Sequence, residues 1–149
     1  MIDAEILKPL VALLGWTMVM WLWMYATRIP AMLKSPDLDP NSMVGTTGAS
    51  LRAQLPEKVS WKADNYNHLH EAPTLFYAVV LVLAITGQGD QTLNIWLAWM
   101  YVWLRVLHSI VQATINVVPI RFALFLLSTI ALIALIVHAA IGVFDLHLL

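Results

Sequence analysis

The sequence predicts an all-α membrane protein, built as an up-down-up-down bundle of four transmembrane helices. Its composition is 60% hydrophobic and only 11% charged, whereas soluble domains are about half apolar and about one quarter charged. The apolar residues also occur in runs long enough to cross a hydrocarbon core about 30 Å thick. Short connections between the later runs make neighbouring helices antiparallel. We expect the whole chain, residues 1–149, to form one transmembrane domain.

The second of the four runs is the hardest to bound. Its uncharged part is short for a full crossing, so we expect the helix to begin near Ser60 as its N-cap. Pro73 either kinks this helix or marks a later helix start. Pro119 is expected to close the third span. The predicted spans are residues 7–28, 61–87, 92–117 and 120–144.

The first connection, residues 29–60, is the only long loop that the sequence predicts. Asp37 and Asp39 within it are interpreted as turn residues rather than ion ligands, because Pro, Asn and Ser surround them. The connection around residues 87–91 has no basic residue. By the positive-inside rule, the first and third loops lie in the cytoplasm and both termini are periplasmic. Basic residues cluster in and beside the first loop: Arg28, Lys34, Arg52, Lys58 and Lys62.

Composition and spacing argue against several classes of function. A net charge of −1 argues against a nucleic-acid partner, and the absence of cysteine excludes disulfides, thiolate metal sites and cysteine nucleophiles. We predict no metal site, because His68 and His70 lie on different faces of a helix and only Glu71 adds a carboxylate. A serine-type triad is unfavourable, since His108 and Ser109 are adjacent and do not face each other.

The third predicted span carries a stripe of polar side chains. A charged group inside a bilayer costs about 2.5–3.5 kcal/mol, so such residues face the interior of a bundle and find partners there. Arg105 is expected near the middle of the membrane, and Glu71 is the acid at a comparable depth. We therefore predict an Arg105–Glu71 ion pair, within one subunit or between two. The stripe spans about a quarter turn and contains Asn94, Tyr101, Arg105, His108, Gln112 and Asn116.

This stripe has a structural and a functional interpretation. The ion pair could fix the helix register, or it could form one wall of a polar pocket that opens to the cytoplasm. The number of polar residues favours the pocket, and its cations and amides suit a peptide-like ligand that carries carboxylates. A proton relay through His108 and Glu71 lacks ionisable groups that continue to the outer side.

The opposite face of the third span carries indoles. Contact with membrane lipid is the common role of such a face, and a surface for a partner protein is the alternative. In the fourth span His138 is alone among apolar neighbours, and we interpret it as a packed or hydrogen-bonded histidine rather than a ligand. The indole stripe contains Trp96, Trp99 and Trp103.

Two segments of the chain resemble the MAPEG family, the membrane-associated proteins of eicosanoid and glutathione metabolism. The first is NHLHEAPTLF, residues 67–76, and the second runs from Arg105 to Arg121. In the second, histidine follows arginine by three residues, and a Pro-x-Arg ends thirteen residues after that histidine. The hydropathy pattern is similar over nearly the whole chain.

The resemblance implies a homotrimer that binds glutathione, as co-substrate, between neighbouring subunits near the cytoplasmic side, without a metal. Arg121 matches the position that stabilises the glutathione thiolate, because a nearby cation lowers the pKa of a thiol. The chain departs from the family pattern at Asp64, His68 and Gln112, which stand where arginine, asparagine and tyrosine are usual. The implied glutathione-binding residues are Arg28, Asn67, His68, Glu71, Arg105, His108 and Gln112.

The resemblance implies a glutathione-dependent transferase or peroxidase that acts on lipophilic small molecules with electrophilic centres, in a bacterial inner membrane. The alternative is a non-catalytic member of the family: a lipid-binding scaffold, or an accessory subunit of a larger membrane complex. Arg121 and His108 favour the enzyme, whereas Asp64 and Gln112 favour the scaffold.

Overall fold

The computed structural model describes residues 5–36, 38 and 43–145, and Asp37 and Asp39 lie outside these ranges. The described residues form helices and no strand, as the sequence predicts. The helices are α1 (Leu7–Lys34), α2 (Gly48–Arg52), α3 (Glu57–His68), α4 (Ala72–Ile85), α5 (Thr92–Thr114) and α6 (Val118–Val143).

Three helical segments of the described chain are long and apolar enough to cross a membrane. The helix α5 is long enough, at 23 residues, but Arg105, His108 and Gln112 lower its hydropathy. The all-helical membrane class predicted from composition is thereby confirmed. The three segments are Leu7–Lys34, Glu57–Ile85 and Val118–Val143.

The first helix continues well past its predicted end at residue 28. It ends at Lys34 and contains Pro30; a proline removes one helical hydrogen bond, which this helix tolerates. The predicted loop over residues 29–60 is correspondingly too long, and it also contains the short helix α2. A capping box starts α2: the Thr47 hydroxyl accepts from the Ser50 N–H, and the Ser50 Oγ accepts from the Thr47 N–H.

The predicted second span is two helices with a break between them. The helix α3 begins at Glu57, not at Ser60, and ends at His68. The helix α4 begins at Ala72 with Pro73 in its first turn, where the missing N–H has no helical partner in any case. Pro73 therefore marks a later helix start and not a kink. Glu71, in the break, has φ −94° and ψ −102°.

The helix α5 lies at the centre of the packing. It shares its largest interface with α6 and also contacts α1 and α3, while α4 packs on α6 and α1. Five residues of the predicted polar stripe are buried: Asn94, Tyr101, Arg105, His108 and Gln112. Among the indoles, Trp96 is 71% and Trp103 62% exposed, whereas Trp99 is partly buried against the core. The sidedness predicted from the helical period is confirmed for these residues except Trp99. The larger apolar core cluster joins α1, α4, α5 and α6 and includes Leu13, Phe76, Leu83, Ala98 and Leu135.

A second polar cluster lies at the other end of α5 and α6, around Asn94 and His138. The His138 Nδ1 donates to the Asn94 Oδ1 at 2.6 Å, and the Asn94 Nδ2 donates to the carbonyl oxygen of Gln88 at 3.1 Å. The predicted hydrogen-bonded state of His138 is confirmed. Beside this cluster the Gln88 amide lies where a side chain on Gly142 would begin, with its Nε2 1.6 Å from that Cβ position.

Candidate functional site

Arg105 lies at the centre of the polar stripe and is 1% exposed. Its Nη2 donates to the His68 Nδ1 at 2.9 Å and to the His68 carbonyl oxygen at 3.2 Å. His68 is the last residue of α3, where carbonyl groups lack helical partners and a cation is favourable. The guanidinium carbon also lies 5.9 Å from the ring centre of Phe125 on α6. Arg105 thus joins α3, α5 and α6.

The predicted ion pair between Arg105 and Glu71 is absent within the chain. Among the described residues, ion pairs join Arg52 to Asp64 and Lys8 to Glu5. Glu71 lies in the break between α3 and α4 and is exposed. The pairing between two subunits stays a prediction. Within one chain, a histidine takes the place that was predicted for the acid.

An open cavity of about 190 Å³ lies between the end of α3, the middle of α5 and the start of α6. The rings of His68 and His108 lie in contact there, tilted against each other, with their centres 4.9 Å apart. The described residues bring no group of three His, Asp or Glu side chains together as a metal site would need. The cavity is lined by His68, His108, Val118, Arg121, Phe122 and Phe125.

The turn between α5 and α6 positions Arg121 in this cavity. Asn116 adopts φ +51°, a left-handed conformation that asparagine tolerates and that ends a helix. Its N–H donates to the carbonyl oxygen of Val111 at 2.7 Å, and its side-chain oxygen accepts from the Arg121 Nη1. The Arg121 Nε is buried without a hydrogen-bond partner. Arg121 therefore keeps a free donor near the cavity.

Arg28 and Asn67, two other predicted site residues, lie together in a separate cavity of about 380 Å³. Arg52 and Asp64 line it as well, paired at 2.8 Å. The Arg28 Nη2 lies 3.9 Å from the position of a Cβ on Gly48, so a side chain there would contact the guanidinium. Asn67 and His68 are consecutive near the end of α3, and each lines a different cavity.

Gln112 lies on the buried side of α5, one turn after His108, and lines neither of these two cavities. Its Oε1 is buried without a hydrogen-bond partner. The structure therefore brings His68, His108 and Arg121 together above Arg105. It places Arg28 and Asn67 in a second cavity, and it leaves Gln112 inside the helix packing and Glu71 on the surface.

Two parts of the site were missed from the sequence. The Asn65 Nδ2 donates to the Ser109 Oγ at 2.6 Å, and both side chains are buried; Asn65 lies three residues before His68, so helical spacing could have found it. The second part is the apolar wall of the cavity, on the first two turns of α6. The spacing of Val118, Phe122 and Phe125, four and then three residues, is the signal for it.

The chain matches the model of the MAPEG family over residues 6–141. The comparisons with curated proteins and with solved structures give no match. The match covers more than half of the 149 residues and includes the break after His68 and the segment from Arg105 to Arg121. The chain therefore belongs to the MAPEG family, the membrane proteins of eicosanoid and glutathione metabolism.

Proposed function

We propose that this protein is an integral-membrane, glutathione-dependent transferase or peroxidase that acts on lipophilic electrophiles. The observation that supports it best is the mixed lining of the cavity at the end of α3. Arg121 and two histidines give it polar groups, while Val118, Phe122 and Phe125 give it apolar ones. Such a cavity suits a charged peptide thiolate and an apolar second substrate at the same time.

The cationic lining suits a thiolate. Arg121 has a buried Nε without a partner, and a guanidinium only donates hydrogen bonds. It also lies in the first turn of α6, where the helix dipole favours negative charge. Both effects stabilise the ionised form of a thiol and so lower the pKa of the thiol of bound glutathione. Arg121 is the residue that we assign to catalysis.

The apolar lining suits a substrate that arrives through lipid. Val118 is 65% and Phe122 63% exposed, so the cavity opens on the outer surface of a helix apolar enough to cross a membrane. A lipophilic molecule in the bilayer can reach the sulfur without passing through water. The apolar lining therefore indicates lipophilic molecules as the substrate class.

In the transferase reaction the thiol proton passes to solvent water and Arg121 holds the resulting thiolate. The sulfur attacks the electrophilic carbon, an S–C bond forms, and the leaving group departs with the bonding electron pair. In the peroxidase reaction two glutathione molecules are oxidised to one glutathione disulfide, and their two electrons and two protons reduce a hydroperoxide to an alcohol and water. In both reactions the chain's residues bind the peptide and stabilise negative charge.

The cavity of Arg28 and Asn67 supplies further groups for a peptide that carries carboxylates. An arginine suits the carboxylates at the ends of glutathione. Its lining includes Asn67, the neighbour of His68 in the chain, so α3 contributes residues to both cavities. We assign Arg28, Asn67, His68, Glu71, Arg105, His108 and Gln112 to glutathione binding, with Arg105 and Gln112 acting from beneath the cavity.

We further propose that α5 is a fourth transmembrane helix and that the chain forms a homotrimer in a bacterial inner membrane, with the cavities facing the cytoplasm. Asn67, His70 and Glu71 are exposed along a segment long enough to cross the membrane, and exposed polar groups there are costly unless a second copy covers them. A monomeric or dimeric mass in native mass spectrometry from detergent would contradict the trimer.

The test of the catalytic proposal is the ultraviolet absorbance of a bound thiolate. Adding glutathione to the purified protein should produce the thiolate band, and Arg121→Ala should abolish it, because the cation that stabilises the anion is gone. Lys8→Ala is the matched control; it removes an exposed cation at the start of α1, paired with Glu5, and should leave the band unchanged. Absence of the band and of glutathione binding at millimolar concentration would overturn the proposal.

The second candidate is a non-catalytic scaffold that binds lipid or a larger membrane complex. The observation in its favour is the exposed groove of about 770 Å³ along α5, between Trp96 and Trp103. The same measurement separates the two candidates, since a scaffold needs neither glutathione nor a thiolate band. Loss of the groove's indoles by Trp96→Ala and Trp103→Ala should leave the band intact if the protein is the enzyme.

A further inference from the structure

The contact between Arg105 and His68 determines which nitrogen of the histidine ring carries the proton. A guanidinium has donors and no acceptor. Because the Arg105 Nη2 lies 2.9 Å from the His68 Nδ1, this ring nitrogen must accept with its lone pair. An imidazole whose Nδ1 accepts is uncharged and carries its single proton on Nε2. His68 is therefore a neutral ring in one defined tautomer.

We infer that the Nε2–H of His68 faces the cavity. His68 lines the cavity with His108 and Arg121, while its Nδ1 is turned to the buried Arg105. The ring centres of His108 and Phe125 lie 4.9 and 5.7 Å from that of His68. Arg105 also donates to the carbonyl oxygen of His68 at 3.2 Å, so one guanidinium holds the ring and the backbone of the same residue.

The geometry points to a defined role for His68, whose uncharged Nε2–H donates to the anionic atom that Arg121 holds. Arg105 is its positioning residue, acting through the tautomer and not by touching the ligand. The identity of that atom, the sulfur of glutathione, rests on the proposed function; the tautomer does not. His68 and Arg121 both donate hydrogen bonds into the cavity. They therefore favour an ionised sulfur, which accepts hydrogen bonds, over an S–H group, which needs an acceptor for its proton.

The first test reads the tautomer directly and needs no glutathione. The chain has five histidines, and the resonances of His68 in ¹⁵N-histidine-labelled protein are the ones that disappear in His68→Asn. At neutral pH we expect an unprotonated Nδ1 and a protonated Nε2. A protonated Nδ1, in either the imidazolium or the other neutral tautomer, would overturn the proposal. If wild-type protein shows the expected tautomer but binds no glutathione, the proposed function fails and the tautomer assignment stands.

The second test compares two amides of different reach. The Nε2 of glutamine lies where the histidine Nε2 lies, whereas the asparagine amide reaches only to the position of Nδ1. His68→Gln should therefore keep the donor in the cavity, and His68→Asn should keep only the acceptor for Arg105. We expect the thiolate band to stay within about threefold of wild type in His68→Gln and to fall by about tenfold in His68→Asn.

The matched control is His70→Asn, since His70 is exposed and its Nδ1 bonds the carbonyl oxygen of Tyr66 outside the cavity. It should leave both the band and the His68 resonances unchanged. Equal loss of the band in the two His68 variants, at wild-type helicity, would mean that no donor at Nε2 is used and would overturn the proposal. If neither variant folds, the tautomer measurement on wild-type protein still decides it.

Discussion

The two ends of α5 and α6 hold polar clusters of opposite kinds. At one end Asn94 uses both atoms of its amide, which donates to the Gln88 carbonyl oxygen and accepts from His138. At the other end several buried polar atoms have no hydrogen-bond partner within the chain: Arg105 Nε and Nη1, Gln112 Oε1 and Arg121 Nε. The first cluster joins helices. In the second, Arg121 lines an open cavity, while Arg105 and Gln112 lie in the helix packing beneath it.

Hydrogen-bond pairing distinguishes a structural polar cluster from a candidate binding site in the same helix pair. A buried polar group without a partner lowers the stability of the fold by about 1–3 kcal/mol, so selection for stability alone would replace such a residue. The Arg121 Nε is such a donor, and Arg121 lines the cavity in which we propose that glutathione binds. The amide of Asn94 has its partners within the chain.

The largest effect on folding is expected at the paired end. Asn94→Leu leaves the His138 N–H and the Gln88 carbonyl group without their partner, and should lower the free energy of unfolding by about 1–3 kcal/mol. Denaturant titration in detergent measures it. The double variant Asn94→Leu/His138→Leu replaces both partners by apolar groups and should recover much of the loss. An unchanged stability in Asn94→Leu would contradict the structural role of this end.

A smaller effect on the free energy of unfolding is expected at Asn116, in the turn beside the cavity. Asn116→Ala forces an alanine into a left-handed conformation and should cost about 1 kcal/mol, whereas glycine adopts it freely. Asn116→Gly should therefore keep the stability but lose the acceptor that orients Arg121, and so weaken the thiolate band. Melting temperature and band intensity, measured on both variants, separate the two roles. A full band in Asn116→Gly would show that Arg121 needs no acceptor at residue 116.

The smallest effect on the free energy of unfolding is expected at Gly142. An added Cβ would overlap the Gln88 amide, but that amide is the end of a flexible side chain and can turn away. The gain in helix propensity from glycine to alanine, up to about 1 kcal/mol, offsets the contact. Gly142→Ala should therefore change the free energy of unfolding by less than about 1 kcal/mol. A loss well above this in thermal unfolding would show that Gln88 is held rigidly against α6.

Individual residues show how far the sequence could predict the site. His108 and Arg121 line one cavity, as predicted; His108 was found from the helical period of α5, and Arg121 from its place at the start of the fourth span and from the family resemblance. The predicted partner of Arg105, Glu71, was wrong within the chain. An acid at a comparable depth was the obvious candidate, but Glu71 lies exposed in the break between α3 and α4. Arg28 and Asn67 were assigned to one pocket with Arg121, whereas they line a separate cavity.

Composition and helical periodicity were enough to predict the helical membrane class and the buried face of α5, because both depend on neighbouring residues of one helix. The family followed from the resemblance of residues 67–76 and of the segment from Arg105 to Arg121. The contact of Arg105 with His68 instead of Glu71, the division of the second span into two helices and the apolar lining from α6 were visible only in the folded chain. Such contacts depend on the direction of side chains at helix ends, because packing between distant segments sets it.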